Sequence, residues 1–232
     1  INTNGLALTE ELLRDLKQAG VGGFTFHIDS KQGRPGFKDK TEVELNELRL
    51  HYAKMVARVG GMTAHFNSTV YDDTLKFVPD LVEWAQNHID IVHGMVFITY
   101  RAAIMDGGFD YYSGGKKVNV ETLEYAYDKP RHRIDMTSHD VVAKIRERFP
   151  DFEPSSYLGG TEDPTALKWL VAGRIGPPGK ILGYTGAKMM ELIQSLHHLV
   201  RGRYFAYSSP HVLGMGRATL ALAPIDAGVR KI

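Results

Sequence analysis

Four stretches of this sequence place chemistry-bearing side chains where an apolar run ends. They are Thr3 and Asn4 in "INTNG", His27 and Asp29 in "GFTFHIDS", His65, Asn67 and Thr69 in "HFNSTV", and Thr99 with Arg101 in "VFITYR". Residues two apart on a strand share a face, which pairs His27 with Asp29, His65 with Asn67 and Thr69, and Thr99 with Arg101. In parallel α/β folds the ligand sits at the carboxyl ends of the strands. One such end is unremarkable on its own, since a terminal Asn or Asp caps the next loop and a lone His is a satisfied core residue. Four aligned polar ends imply a polar ligand, because buried polar groups without partners are costly. Imidazoles with a carboxylate are also metal ligands: His27, Asp29, His65 and His93 could hold a divalent ion and lower the pKa of its water to about 7, as in a hydrolase or aldolase on a complete (α/β) barrel. His93, however, precedes Arg101 by about eight residues, roughly 26 Å at ~3.3 Å per residue, and belongs to the start of its strand. A non-catalytic ligand-binding module with the same rim is a third reading.

The elements that would position these groups recur as strand, loop and helix. Thr9 is an N-cap for "EELLRDLKQA", in which Leu12, Leu13, Leu16 and Ala19 fall on one face and Gly20 supplies the stop. "GFTFHID" follows as a compact buried strand, and "SKQGRPGFKDK" as a polar loop. Thr41 and Glu44 make a capping box for a helix carrying Leu45, Leu48, Tyr52, Met55, Val56 and Val59, and "GGMTAHFNSTV" is the next strand. "VPDLVEWAQNH" then leads into "IDIVHGMVFITYR". Three helices, each followed by a strand at intervals of about 30 to 40 residues, predict parallel crossovers in an open sheet or an (α/β) barrel.

The second half lacks this alternation. "IMDGGFDYYSGGKKVN" is a loop by its Gly and Tyr content, Thr137 or Ser138 caps the helix "DVVAKIRERF", and "GRIGPPGKILGY" is a Gly/Pro loop. "AKMMELIQSLHHLVRGRYF" is an amphipathic helix, and "GRYFAYSS" and "RATLALAP" are candidate strands. "GPPGK" is a turn and not a phosphate loop, since its glycines are too close and Ile181 follows Lys180. "GMG" at 214–216 lacks the third Gly of a dinucleotide site. Adjacent His197 and His198 fall on different helix faces, and Tyr111, Tyr112, Tyr125 and Tyr127 form a packed loop or line a substrate pocket.

Composition narrows the partners. The chain has 232 residues, 43% of them hydrophobic, enough to bury a sizeable core. Lys+Arg 28 against Asp+Glu 27 leaves a net charge of +1, which gives no electrostatic case for nucleic acid or an anionic membrane. A small-molecule substrate is the expected partner. No apolar run approaches the ~20 residues of a membrane span, and no leader precedes the first element, so the expected setting is cytoplasmic. The absence of Cys excludes disulfides and thiolate metal sites within these residues.

"INTNGLALTEELLRDLKQAGVGGFTFHIDS" resembles the third and fourth strands of the radical S-adenosylmethionine superfamily, whose third strand commonly ends in Thr-Asn-Gly and whose fourth ends in a Ser-Leu-Asp-like triplet. "HFNSTV" and "VFITYR" fall where its fifth and sixth strands belong. The resemblance implies an α/β chain with a partial (β/α) barrel at residues 1–105 and a mixed C-terminal extension at 106–232. It implies S-adenosylmethionine bound across the rim beside a [4Fe–4S] cluster, an electron donor, and reductive cleavage to a 5′-deoxyadenosyl radical that abstracts hydrogen from a substrate. By position, Thr3, Asn4, His27 and Asp29 would face the amino-acid and ribose parts of that cofactor, Asn67 and Ser68 its ribose, and Thr99 to Arg101 its adenine. The family's Cys-x3-Cys-x2-Cys loop and Gly-rich second strand would lie upstream of Ile1.

Overall fold

A computed structural model describes residues 1–100, 110–119, 136–158 and 169–202. Its framework is a parallel sheet of four strands in sequential order: β1 (Asn2–Thr3), β2 (Gly23–His27), β3 (Thr63–Val70) and β4 (Gly94–Thr99). Between them run α1 (Glu10–Gln18), α2 (Asn46–Val59) and α3 (Val78–Asn87), the last entered through a 3₁₀ turn at Leu75–Phe77. The expected four strands and three helices of the first hundred residues are therefore present. Sequential order is what a singly wound sheet produces, and among the described residues the four strands do not close into a barrel.

Local chemistry accounts for each helix. The Thr9 hydroxyl accepts the Leu12 N–H at 3.1 Å, Glu10 and Glu11 occupy the positive first turn of α1, and the backbone folds back after Ala19 with the Gly20 N–H on the Lys17 carbonyl. The capping box at Thr41 and Glu44 forms as expected, at 2.8 and 3.3 Å, but the regular helix begins later, at Asn46. Residues 42–45 make an irregular turn that carries Glu42 into the interior. Gly5 turns the chain out of β1 with φ +77° beneath the Tyr52 ring, where an added Cβ would stand 2.7 Å from the nearest ring atom. Both the left-handed conformation and the close approach call for glycine there.

Strand alternation divides the sheet into two faces. In a parallel ladder paired residues share a face, so Thr3, Phe26, Phe66 and Met95 form one row, and Asn2, Thr25, His65 and Gly94 another on the opposite side. The first row is helix-covered: Phe24, Phe26, Ile28, Ala64 and Phe66 pack with Leu13, Leu48, Tyr52, Met55 and Val56 in the main core. The other row carries the polar groups.

The later residues build small antiparallel units and a second core. β5 (Tyr112–Ser113) pairs with β6 (Lys116–Lys117), β7 (Ser156–Leu158) with β8 (Trp169–Val171), and β9 (Arg174–Ile175) with β10 (Gly183–Tyr184). The stretches 112–117 and 174–184, expected to be loops, are thus hairpins, and β7 and β8 had no counterpart in the sequence reading. Strands of two or three residues are too short to carry a period-2 signal. The two expected helices are present as α4 (Ser138–Arg146), capped by a Thr137–Asp140 box, and α5 (Ala187–Arg201). Met136, Val141, Val142, Ile145, Phe152 and Tyr184 join Val70, Val78 and Val82 in the second core, so α4 packs directly on α3. The candidate strands after Gly202 lie outside the described residues.

Candidate functional site at the carboxyl ends of the strands

The face of the sheet opposite the main core, helix-free among the described residues, brings His27, Asp29, Asn67 and Thr69 together. His27 stands opposite Asn67 in the ladder, and Thr69 follows two residues later on the same face. The His27 Nε2 lies 2.9 Å from Asp29 Oδ2 and 3.1 Å from Thr69 Oγ1. Asp29 is 4% exposed, and its other oxygen accepts the Lys31 N–H at 3.0 Å. Burial alone would raise the Asp29 carboxyl, but hydrogen bonds from His27 and Thr69, the His27 charge and the Lys31 N–H together bring it below the ordinary carboxylate range. It is therefore an ionised acceptor in a polar corner.

Asn67 is the group left open. It is 7% exposed, and its buried Oδ1 has no hydrogen-bond partner among the described residues, although its backbone carbonyl accepts the Ile28 N–H at 3.0 Å. A buried amide oxygen without a donor costs about 1–3 kcal/mol, a cost that a ligand hydroxyl or ammonium at this position would remove.

The remaining expected residues are distributed differently. Thr3, Ser68 and Thr99 pair with Phe26, Phe97 and Val70 and so belong to the helix-covered side. Thr3 Oγ1 accepts the Gly5 N–H at 3.0 Å and Asn4 Oδ1 the Leu6 N–H at 3.1 Å, both serving the turn. Ser68 donates to Glu42 at 3.0 Å. Arg101 lies outside the described residues, as do Tyr125 and Tyr127, while Tyr112 is 63% exposed on β5. Alternation explains the division: strand ends at one level of a sheet still point to opposite faces when they differ by one residue.

Three charged residues behind the rim had not been singled out. Glu42 and Arg49 form a buried ion pair at 2.6 Å, with exposures of 1% and 0%. Arg49 also donates to the carbonyls of Glu42 and Ile28, each at 2.7 Å, and Glu42 accepts the Ser30 N–H at 2.6 Å. Arg34, 5% exposed, donates to the His27 carbonyl at 2.6 Å and to Gln32 at 3.0 Å, while its Nη1 has no partner among the described residues. These bonds clamp the backbone on either side of His27 and Asp29. One signal for Arg49 was present: a charged residue four positions after Leu45, on the apolar stripe of α2. Arg34 gave none, sitting in a polar Gly/Pro loop.

His65 lies one row below His27, and its ring centroid is 6.3 Å from that of His93. The two occupy the start of the sheet rather than the rim. Among the described residues no group of three His, Asp or Glu side chains is placed to hold a metal ion, so His27, Asp29 and His65 do not form such a set. Burial first, then the neighbouring His93, lowers His65 to about 4 from 6.5. The unfolded chain therefore takes up this proton near pH 6.5 while the folded chain resists it, and stability is lost as pH falls from 6.5 toward 4. The expected loss over that window is on the order of 3 kcal/mol. Urea midpoints measured across the window should fall in wild type and fall less in His65→Gln; equal slopes would show that another group carries the acid limb.

A parallel α/β sheet with a polar corner on its helix-free face is the class of protein these features define. Neither a family model nor a curated protein matches the chain. Among the described residues no helix is long and apolar enough to cross a membrane.

Proposed function

We propose that the chain supplies the S-adenosylmethionine-binding part of a radical S-adenosylmethionine enzyme, its four strands forming part of a (β/α) barrel and residues 106–232 an extension to it. The reading is supported by the order of its strand-end motifs and by sequential parallel pairing. It rests above all on the buried Oδ1 of Asn67, which has no partner among the described residues, beside the His27–Asp29 pair. Asn67 would meet a cofactor hydroxyl, and the ionised Asp29 would orient His27 and attract the cofactor's cationic end. Arg34 and Arg49 hold the end of β2 in place through the His27 and Ile28 carbonyls without touching the ligand. When bound, S-adenosylmethionine supplies a 5′-deoxyadenosyl group for hydrogen abstraction from a small-molecule substrate, with electrons from an external donor. The residues of this chain do not fit a [4Fe–4S] cluster, since such clusters are held by thiolates and none of the 232 residues is Cys. The cluster would need ligands from outside these residues.

Calorimetric titration with S-adenosylmethionine tests the reading. Asn67→Ala is expected to weaken binding about tenfold, one good hydrogen bond to a buried group. Its melting temperature should stay within a few degrees of wild type, because the amide oxygen has no partner to lose among the described residues. Unchanged affinity in that variant, or no binding to wild type, would remove the cofactor from this corner.

A further inference from the structure

A cavity of about 610 Å³ runs along β4, which among the described residues is the edge strand of the sheet. It touches every residue from His93 to Thr99, a length of about 20 Å at ~3.3 Å per residue. Its walls are mainly apolar, with Val82 and Ile89 on one side, Val142 and Ile145 from α4 and Leu170 from β8, and Gln86, His93, Thr99 and Ser138 add polar groups. None of His27, Asp29 and Asn67 lines it. The volume falls within the ~300–1,000 Å³ of ligand sites, which are apolar with a few placed polar groups.

The placed group is Arg174. Its guanidinium lies 4.8, 5.5 and 5.0 Å from the rings of Phe149, Phe152 and Tyr184, and Nη2 donates to the Tyr184 hydroxyl at 2.9 Å. With its amide assigned in the orientation that satisfies both groups, Gln86 accepts from Nε at 3.0 Å through its oxygen. All these partners are neutral, and among the described residues no carboxylate pairs with it. Burial lowers the Arg174 guanidinium, with the Tyr184 hydroxyl opposing that shift. A partly desolvated cation in an apolar cavity favours an anion, and the planar fork of Arg suits a carboxylate.

We propose that this cavity binds an elongated apolar carboxylate, its hydrocarbon body lying between β4, α3 and α4 and its carboxylate on Arg174. The site stands independently of S-adenosylmethionine binding, because the two share no residue. Calorimetric titration of the 232-residue chain with decanoate and with 1-decanol, both below their aggregation concentrations, reads it directly. Wild type should bind decanoate saturably, one per chain and at least about tenfold tighter than decanol. Arg174→Gln should erase that preference by weakening decanoate while leaving decanol unchanged. Val142→Trp, which fills the cavity without touching the cation, should abolish binding of both with the far-ultraviolet circular dichroism unchanged. Absence of saturable decanoate binding, or equal affinities of wild type for the two probes, overturns the proposal whatever the variants do. Undiminished binding in a folded Val142→Trp overturns it as well.

Discussion

Arg49→Ala is expected to destabilise the chain by about 3–5 kcal/mol, the cost of leaving one member of a buried ion pair alone. The residue is wholly buried, and its loss would strand the Glu42 carboxylate, which is 1% exposed, together with the carbonyls of Ile28 and Glu42. Burial lowers the Arg49 guanidinium while Glu42 opposes that shift. Arg49→Met combined with Glu42→Gln should recover much of the loss. The amide oxygen can keep the Ser30 N–H while the amide NH2 donates to the Ser68 hydroxyl, and no buried charge is left unpaired. Urea unfolding of both single variants and the double variant gives the coupling directly. Losses under 1 kcal/mol that simply add would mean that the pair is hydrated rather than buried.

Phe26→Ala should cost a comparable 3–5 kcal/mol, approximately, for a different reason. Phe26 is fully buried at the centre of the main core, its ring centroid 4.8 Å from that of Tyr52, 5.5 Å from Phe66 and 5.8 Å from Phe24. Truncation would leave a cavity bounded by two strands and α2, and the rigid sheet backbone on one side limits collapse. Phe26→Leu, which fills most of that space, should cost much less. A shift in urea midpoint at constant slope is the expected signature, and equal losses for Ala and Leu would show that ring stacking rather than volume is what Phe26 supplies.

Much of the first hundred residues was legible in the sequence because each element there is long enough to carry its own signal. Thr9 and the Thr41–Glu44 box announce helices through local bonds that form within a few residues, and "GFTFH" and "TAHFNSTV" alternate over five and eight residues. The short hairpins of the second half carry no such signal, since a two-residue strand exists only by virtue of the partner it meets.

At the candidate site the division falls between neighbouring residues. Composition and strand-end position singled out His27, Asp29 and Asn67, and the tertiary structure gathers these three on the helix-free face. Position alone grouped Thr3, Ser68 and Thr99 with them, yet ladder register puts those three on the side that faces the helices. The period of two is a property of one strand, whereas the level at which strands pair is a property of the sheet, and only the second decides which side chains meet. For the same reason Arg34, Glu42 and Arg49 escaped notice. Their partners are mostly backbone carbonyls, amides and side chains brought near by folding, and a charge in a sequence gives no sign of being buried until those partners surround it. The sequence by itself determined the order of strands and helices and the polarity of the rim, because both follow from local periodicity. Tertiary structure alone decided which polar residues share a face, which charges are buried, and where the apolar cavity beside β4 lies, because each depends on contacts between segments distant in the chain.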